Sequence, residues 1–329
     1  MESEALLSVR DLRIAFDGIE AVRGLSFDVR PREVLAVVGE SGAGKSLTAR
    51  ALLGMLPPGA TTSGSIRLLG ESGTDLAAQR GRRIALVPQD ALSALSPVHR
   101  VGDQLAAAVR SVARVSRTKA RARAVAALDR VGIPDAVRKA RAYPHEFSGG
   151  MRQRAVIAMA TINEPDVLVA DEPTTALDEE RRDRVLRVLG EQREAVGAAL
   201  VLVTHDLDVV RQHADRALVM YAGRLTELGP AQEVLTRPSA PYTAGLLASL
   251  PQSVPAGSRL PALPGTPPAP GTLLPGCAFA PRCPLAADIC RHEEPEPRPV
   301  DERLVACHRW ADVPHPAVEL FSEKPHVSS

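Results

Sequence analysis

The stretch Val34-Leu35-Ala36-Val37-Val38-Gly39-Glu40-Ser41-Gly42-Ala43-Gly44-Lys45-Ser46 says most about the fold of this chain. Its first five residues form a continuous apolar run, which predicts a β-strand buried on both faces. A glycine-rich loop follows, and residues 47–56 then predict a helix that ends at Pro57-Pro58-Gly59. Strand, loop and helix in this order are the context that a phosphate-binding loop requires.

The loop itself, residues 39–46, matches the pattern Gly-x-x-x-x-Gly-Lys-Ser in full. Its glycines let successive backbone N–H groups converge on a phosphate at the positive end of a helix dipole. We expect Lys45 to bridge the β- and γ-phosphates of a nucleotide and the Ser46 hydroxyl to coordinate Mg²⁺.

Two further apolar runs, residues 167–170 and 199–203, predict buried strands, and residues 101–141 predict basic helices. Strands that alternate with helices indicate a largely parallel α/β sheet, with ligands at the carboxyl ends of its strands. Asp171 and Glu172 follow the first of these runs. An aspartate there can hold Mg²⁺, and a neighbouring glutamate can polarise the water that attacks the γ-phosphate.

Composition bounds the possible functions without choosing one. The 329 residues can form one large domain with an appendage or two modest domains. A formal net charge of +1 gives no argument for a nucleic-acid partner. The start Met1-Glu2-Ser3-Glu4 is acidic, unlike a secretory signal, and prolines interrupt the longest uncharged run, residues 260–281. We expect a cytosolic chain that reaches a membrane only through partners.

The order of motifs over about residues 6–235 resembles that of ATP-binding cassette (ABC) ATPases. Besides the phosphate loop and the acidic pair, it includes Gln89, Phe147-Ser148-Gly149-Gly150-Met151, Ala176-Leu177-Asp178 and His205. The resemblance implies an α/β fold, the P-loop NTPase fold of the ABC nucleotide-binding domain. That fold combines a parallel sheet core with an antiparallel β-subdomain and a helical signature subdomain, here at about residues 95–165.

The resemblance also implies roles for individual residues, with ATP and Mg²⁺ as ligands. The ATP-binding residues would be Phe16, Gly39, Glu40, Ser41, Gly42, Ala43, Gly44, Lys45, Ser46, Leu47 and Gln89. Phe16 would stack on adenine. Ser46, Gln89 and Asp171 would hold Mg²⁺, and Lys45, Glu172 and His205 would be catalytic. Gln89 would also communicate with a membrane subunit.

The same match assigns a half-site that acts on another subunit. Ser148, Gly149, Gly150 and Met151 would reach the γ-phosphate of ATP held by a second ATPase, with Asp178 in the D-loop at the dimer seam. Met151 stands where Gln is commonest in this signature, and methionine cannot donate the hydrogen bonds of an amide. The hydroxyl of Ser148 and the N–H groups of the two glycines should still suffice to bind phosphate.

All four cysteines, Cys277, Cys283, Cys290 and Cys307, lie at the end of the chain. They follow or overlap residues 251–284, whose ten prolines predict extended chain and turns. In a reducing cytosol such a cluster favours a metal or iron–sulfur site over disulfides. The intervals Cys-x5-Cys-x6-Cys-x16-Cys lack the Cys-x2-Cys pair of common zinc modules. Four thiolates suit either a [4Fe–4S] cluster or Zn²⁺, and the spacing does not choose between them.

Two segments resemble the ATPases of oligopeptide and dipeptide importers. The first is residues 89–97, with departures at Ala91 and Ser96, and the second begins at Pro241-Tyr242-Thr243, where Ala240 replaces a histidine. The resemblance implies an ATP-binding domain over residues 6–250, an extension over 251–312 with a [4Fe–4S] cluster on its cysteines, and a disordered tail over 313–329.

The implied function is ATP hydrolysis that drives peptide import at the cytoplasmic face of a bacterial inner membrane. The implied partners are a related but non-identical ABC ATPase, two transmembrane permease subunits and, indirectly, an extracytoplasmic solute-binding protein. Three alternatives remain: an importer of nickel or another small solute, a soluble non-transport ABC ATPase, and a structural iron–sulfur protein. The chain shows neither the paired cassettes nor the coiled-coil insertions usual in the soluble class, and its intact catalytic set argues against a purely structural role.

Overall fold

The computed structural model describes residues 5–69, 75–175, 177–250 and 263–321. Its strands are β1 (Leu7–Phe16), β2 (Ile19–Val29), β3 (Val34–Val38), β4 (Ala60–Leu68), β5 (Ile84–Val87), β6 (Val167–Asp171), β7 (Ala199–Val203), β8 (Arg216–Tyr221), β9 (Arg224–Pro230), β10 (Arg298–Val300) and β11 (Arg303–Val305). Its α-helices are α1 (Lys45–Leu52), α2 (Leu76–Gln79), α3 (Ala91–Ala94), α4 (Val101–Val112), α5 (Arg117–Arg130), α6 (Ala136–Lys139), α7 (Gly149–Thr161), α8 (Glu179–Val196), α9 (Leu207–His213), α10 (Ala231–Thr236), α11 (Pro241–Ala248) and α12 (Asp288–His292). Short 3₁₀ helices occupy Pro144–Glu146, Ala280–Arg282, Trp310–Asp312 and Ala317–Leu320.

The larger sheet has the strand order β10-β11-β9-β8-β3-β7-β6-β5. Strands β8, β3, β7, β6 and β5 run parallel, as the alternation of strands and helices predicts, and the remaining pairs are antiparallel. Every residue of β3, β6 and β7 is buried, which confirms the three predicted two-faced strands. The carboxyl ends of these three strands therefore meet at one edge of the sheet.

The central strand β3 supplies apolar side chains to both faces of this sheet. Leu35 and Val37 pack with α1 and with strands β1, β2 and β4, whereas Ala36 and Val38 pack with α9, α10 and α11. Successive side chains of a strand point to opposite faces, so one continuous apolar run serves two cores. The phosphate loop that follows β3 is thus anchored from both sides.

A second, three-stranded antiparallel sheet has the order β2-β1-β4. Strands β1 and β2 are joined by Asp17 and Gly18, both with positive φ, as a two-residue hairpin turn requires. Leu7, Val9 and Ile14 of β1 are fully buried. This sheet is the antiparallel β-subdomain that the fold class implies.

Helices α4, α5 and α7 form a separate apolar cluster. It packs on the face of the larger sheet opposite to the smaller sheet. In α5 the buried residues are Ala120, Ala124, Ala127 and Leu128, at the i, i+4, i+7 and i+8 spacing of one helix face. Most basic side chains of residues 110–141 are exposed, so their charge lies on solvated faces of the helices.

The C-terminal residues extend the larger sheet, because β11 pairs with β9 and β10 pairs with β11. The carboxylate of Glu227 in β9 is fully buried and accepts hydrogen bonds from the N–H groups of Ser239 and Ala240, both at 3.0 Å. Arg303 of β11 lies 3.3 Å from the same carboxylate. The predicted boundary at residue 250 stays a prediction, since one sheet runs across both sides of it.

The tail predicted to be disordered, residues 313–329, lies partly within the described residues. Val313 and Ala317 are buried against Ala244 of α11, and Ala317–Leu320 is a 3₁₀ helix. Apolar residues after Trp310 therefore find a core to pack on, and this part of the tail is ordered. Residues 322–329 and 251–262, part of the proline-rich segment, lie outside the described ranges. Among the helices of the described ranges, none combines the length and the apolar character needed to cross a bilayer.

Candidate ATP site and cysteine pocket

The phosphate loop connects β3 directly to α1, as predicted. Gly44 precedes the helix at φ 95°, and a Cβ there would lie 2.9 Å from the carbonyl oxygen of Ala21. Glycine is required at this position because both its φ and its close approach exclude a side chain. The predicted helix over residues 47–56 is observed at Lys45–Leu52, so it starts within the loop motif and is shorter than expected.

The ammonium of Lys45 is buried and folds back over the loop. Its Nζ donates to the carbonyl oxygens of Gly39 at 2.8 Å and Glu40 at 3.0 Å. Burial lowers the pKa of Lys45. Three nearby carboxylates oppose this shift: Glu172, Asp171 and Glu40. An ammonium that donates to carbonyl oxygens in a partly desolvated site is well placed to bind phosphate oxygens instead.

Ser46 and Asp171 form the hard-oxygen pair expected of a Mg²⁺ site. The hydroxyl of Ser46 donates to Oδ1 of Asp171 at 2.9 Å, joining the start of α1 to the end of β6. Burial raises the pKa of Asp171, and the hydrogen bond from Ser46 partly offsets that shift. Hydroxyl and carboxylate oxygens are ligands that Mg²⁺ prefers.

Glu172 and His205 meet beside this pair. Nδ1 of His205 lies 3.3 Å from Oε2 of Glu172, and the Thr175 hydroxyl donates to the same oxygen at 2.9 Å. Glu172 has φ 46°, and its N–H donates to the carbonyl oxygen of Val203. The His205 side chain is 62% exposed.

Two further residues predicted to bind ATP, Gln89 and Phe16, lie in different parts of the fold. Gln89 is exposed just after β5, at the edge of the sheet where the acidic pair lies. Phe16 ends β1, pairs with Ile19 and Ala60, and is half-buried against the core of the smaller sheet. Its role in stacking on adenine stays a prediction.

The signature residues lie at the start of α7 on the surface. Ser148 is the N-cap, and its hydroxyl accepts the N–H of Met151 at 3.3 Å. Ser148 and Gly149 are exposed, and a Cβ at Gly149 or Gly150 would meet no atom within 4 Å. The side chain of Met151 packs on the helical core, so it replaces a polar group by apolar contact.

Two side-chain contacts that join these motifs are not predicted by the sequence patterns. The amide of Gln153 in α7 donates to the carbonyl oxygen of Pro173, directly after the acidic pair, at 2.8 Å. Arg182 of α8 forms an ion pair with Asp206 at 2.8 Å, beside His205. Asp178 caps α8 by accepting the N–H of Arg181. Ala176 of the same motif lies outside the described residues.

All four cysteines line one cavity of about 40 Å³, together with Tyr242 and Phe279. Burial raises the pKa of three of the thiols: that of Cys277, that of Cys283 to about 11 and that of Cys307 to about 12. Within the described ranges, no three His, Cys, Asp or Glu side chains come together as ligands of one metal ion. The thiols therefore surround a common space without converging on one point.

A third feature that the sequence did not indicate is a contact between this pocket and the phosphate loop. The guanidinium of Arg282 binds both carboxylate oxygens of Glu40, at 2.7 and 3.0 Å. The N–H of Glu40 donates to the Tyr242 hydroxyl at 2.8 Å. The only sequence signal was the position of Arg282 directly before Cys283.

Comparisons with known proteins agree with this architecture. The family described as "ABC transporter" matches residues 22–175, and the family described as "Oligopeptide/dipeptide transporter, C-terminal region" matches residues 226–290. Among solved structures, the ATP-binding cassette MJ0796, a dimer bound to ADP and Pi, has a TM-score of 0.60 at 24% identity, over 68% of this chain and 98% of that one. The cbiO1 protein of Clostridium perfringens, part of the ABC transporter complex cbiONQ, has a TM-score of 0.61 at 28% identity, over 71% and 91%.

Two curated relatives place the chain more closely. The oligopeptide transport ATP-binding protein OppD of Mycobacterium tuberculosis is 50% identical over 302 residues, which are 88% of this chain and 49% of the relative. The chain thus spans about half the length of that protein. The dipeptide transport ATP-binding protein DppD of Bacillus subtilis is 43% identical over 298 residues, 87% of this chain and 89% of the relative. The chain belongs to the ABC transporter family of ATP-binding proteins, among those that carry the oligopeptide/dipeptide transporter C-terminal region.

Proposed function

We propose that this chain is the ATP-hydrolysing subunit of a bacterial importer of oligopeptides or dipeptides. The observation that carries the proposal is the convergence of Lys45, Ser46, Asp171, Glu172 and His205 at one sheet edge. The same chain carries the C-terminal region of oligopeptide/dipeptide transporters, and its relatives are named for peptide transport.

In this proposal the phosphate loop binds the triphosphate of ATP. Lys45 exchanges the carbonyl oxygens of Gly39 and Glu40 for β- and γ-phosphate oxygens. Ser46 and Asp171, with Gln89, would hold Mg²⁺, which would neutralise charge that develops on the phosphate oxygens. The Ser46 hydroxyl, which donates to Asp171 in this structure, would supply its oxygen to that ion.

Glu172 is the proposed general base. Its carboxylate orients the attacking water and accepts a proton from it while the bond to the γ-phosphorus forms. The bond from that phosphorus to the β–γ bridging oxygen breaks, and ADP leaves. His205, 3.3 Å away, and Thr175 fix the carboxylate from two sides. His205 is exposed enough to contact the γ-phosphate of bound ATP, as a switch histidine does.

Hydrolysis in this proposal needs a second ATPase subunit, which is a related but non-identical chain. Ser148 and Gly149 are exposed and Gly150 is half-buried, with open space above both glycines, and the three residues would bind ATP held by that partner. Asp178 would lie at the seam between the two subunits. Closure on ATP would drive two permease subunits through alternating access at the cytoplasmic face of the inner membrane, with an extracytoplasmic solute-binding protein delivering the peptide.

For the cysteine pocket we propose a [4Fe–4S] cluster. A tetrahedral Zn²⁺ with Zn–S bonds of about 2.3 Å needs sulfurs about 3.8 Å apart. The four thiols line one cavity in the part of the chain that the structure describes. A cluster of several irons accepts four thiolates that are spread more widely. Bound there, it would cross-link segments of a proline-rich extension with little apolar core.

The Glu172→Gln variant tests the catalytic assignment. We expect turnover to fall by about 10²–10⁴-fold, because the amide cannot accept the proton of the water. ATP binding should survive, since Lys45 and Ser46 are untouched. The measurement is phosphate release and nucleotide affinity of the complex purified from membranes. Glu180→Gln on α8, whose carboxylate is exposed, is the matched control. Undiminished turnover in Glu172→Gln would contradict the assignment.

Two measurements test the assembly and the metal. Purification of the tagged chain from solubilised membranes should recover a permease pair, a second ATPase and peptide-stimulated activity when the binding protein is added. Stimulation by nickel and not by peptide would overturn the substrate class. Anaerobically purified chain should contain iron and acid-labile sulfide, and one zinc per chain without iron would exclude the cluster.

A further inference from the structure

Arg282 is one of the few buried cations in the described parts of the chain, and it lies outside the proposed catalytic set. It is 7% exposed at the end of the 3₁₀ helix Ala280–Arg282, directly before Cys283. Its Nε donates to the carbonyl oxygen of Pro264 at 2.7 Å. Its guanidinium also stacks 5.7 Å from the ring centres of Tyr221 and Phe279. The guanidinium is therefore fixed by several neighbours.

The partner of this cation is the second residue of the phosphate loop. Two nitrogens of Arg282 bind the two carboxylate oxygens of Glu40, and this bidentate geometry is the strongest that arginine forms with a carboxylate. The Glu40 side chain is 23% exposed, so water screens the pair only partly. The backbone of Glu40 is held independently by Tyr242.

Glu40 without this partner would be unfavourable for nucleotide binding. Its carboxylate is close enough to act on the charge of Lys45, and its own carbonyl oxygen accepts a hydrogen bond from that ammonium. A negative charge beside the residue that binds the β- and γ-phosphates repels the triphosphate and competes for the lysine. Arg282 offsets that charge and holds the carboxylate in a bidentate pair.

We propose that Arg282 is a positioning residue of the ATP site: the C-terminal extension neutralises Glu40 and fixes the first half of the phosphate loop. The inference rests on the proposed assignment of residues 39–46 to ATP. It gives the extension a role in nucleotide binding within its own chain. No group of Arg282 takes part in the chemical step.

The test is a double-mutant cycle at Arg282 and Glu40, which asks whether an unpaired negative charge weakens nucleotide binding. ATP affinity, KM and kcat are measured on the membrane complex. Arg282→Gln should weaken ATP binding about 10- to 100-fold, the range expected for hydrogen bonds to a charged group, with kcat largely kept. Glu40→Gln should bind ATP at least as tightly as the wild type. The double variant should return to within about threefold of the wild type, because no unpaired carboxylate remains.

A merely structural role predicts a different pattern. If the contact only braces the fold, both single variants and the double variant should be weakened alike, and that result overturns the proposal. Arg282→Lys, which keeps the charge but not the bidentate geometry, should lie between wild type and Arg282→Gln. Arg291→Gln, a largely exposed arginine of the same extension, is the matched control and should leave ATP affinity unchanged.

Failure of this inference can be separated from failure of the proposed function. Lys45→Ala should abolish ATP binding if residues 39–46 form the site, whatever Arg282 does. Normal binding by Lys45→Ala would refute the proposed site itself. Loss of binding in Lys45→Ala together with unchanged affinity in Arg282→Gln would refute only the role of Arg282.

Discussion

The phosphate site and the cysteine pocket differ in how the chain assembles them. In the phosphate site the polar groups already bind one another: Lys45 binds loop carbonyls, Ser46 binds Asp171, and His205 lies against Glu172. In the cysteine pocket the thiols and the buried rings of Tyr242 and Phe279 line one small cavity. The proposed ligand of the first site exchanges hydrogen bonds that the site already makes, whereas that of the second would bind the thiols in the cavity wall.

The two sites depend on the fold to different degrees. Strand ends of one parallel sheet hold the phosphate site, whereas the cysteine pocket depends on the docking of the extension. That docking uses β11, the buried carboxylate of Glu227 and the Arg282–Glu40 pair. Three substitutions test this difference between the two sites.

Glu227→Ala should have the largest effect. It leaves two N–H groups and the guanidinium of Arg303 without their acceptor, and removing one partner of a buried ion pair costs about 3–5 kcal/mol. We expect the free energy of unfolding in urea to fall by that amount and the cysteine segment to become protease-sensitive. Glu296→Ala, an exposed carboxylate paired with Arg224, is the control and should change little. Equal effects would mean that Glu227 does not anchor the extension.

Asp171→Asn should have a smaller effect, confined to the phosphate site. Loss of the carboxylate ligand should weaken Mg²⁺ binding by at least about 10–100-fold, with the stability of the extension unchanged. Burial raises the pKa of Asp171, so Mg²⁺ affinity of the wild type should fall with decreasing pH before an ordinary aspartate would protonate. The variant should lack this acid limb in a titration with ATP and Mg²⁺. An unchanged pH profile would remove Asp171 from the metal site.

Tyr242→Phe should have the smallest effect. It removes only the hydroxyl that accepts the N–H of Glu40, and one neutral hydrogen bond contributes about 0.5–1.5 kcal/mol. ATP affinity measured by calorimetry should therefore fall by no more than about tenfold, less than in Arg282→Gln. A larger loss would show that α11, more than the charge of Arg282, holds the loop.

Much of the fold and the proposed site follows from local sequence patterns. The apolar runs of β3, β6 and β7 predict buried parallel strands, and polar residues after such strands must share one sheet edge. That rule alone brings Lys45, Asp171 and His205 together. Phe16 shows the limit of the approach, because its half-buried position in β1 fits core packing as well as adenine stacking.

The sequence alone predicts the phosphate loop, the acidic pair and a cysteine-rich extension, because each depends on residues close together in the chain, whose backbone preferences act locally. The position at which the extension packs on the ATP-binding domain follows only from tertiary contacts. Two of its strands join the larger sheet, residues 313–321 pack on α11, and Arg282 reaches Glu40 across 242 positions of the chain. A contact of that span depends on docking geometry and shared burial, and no local pattern encodes either.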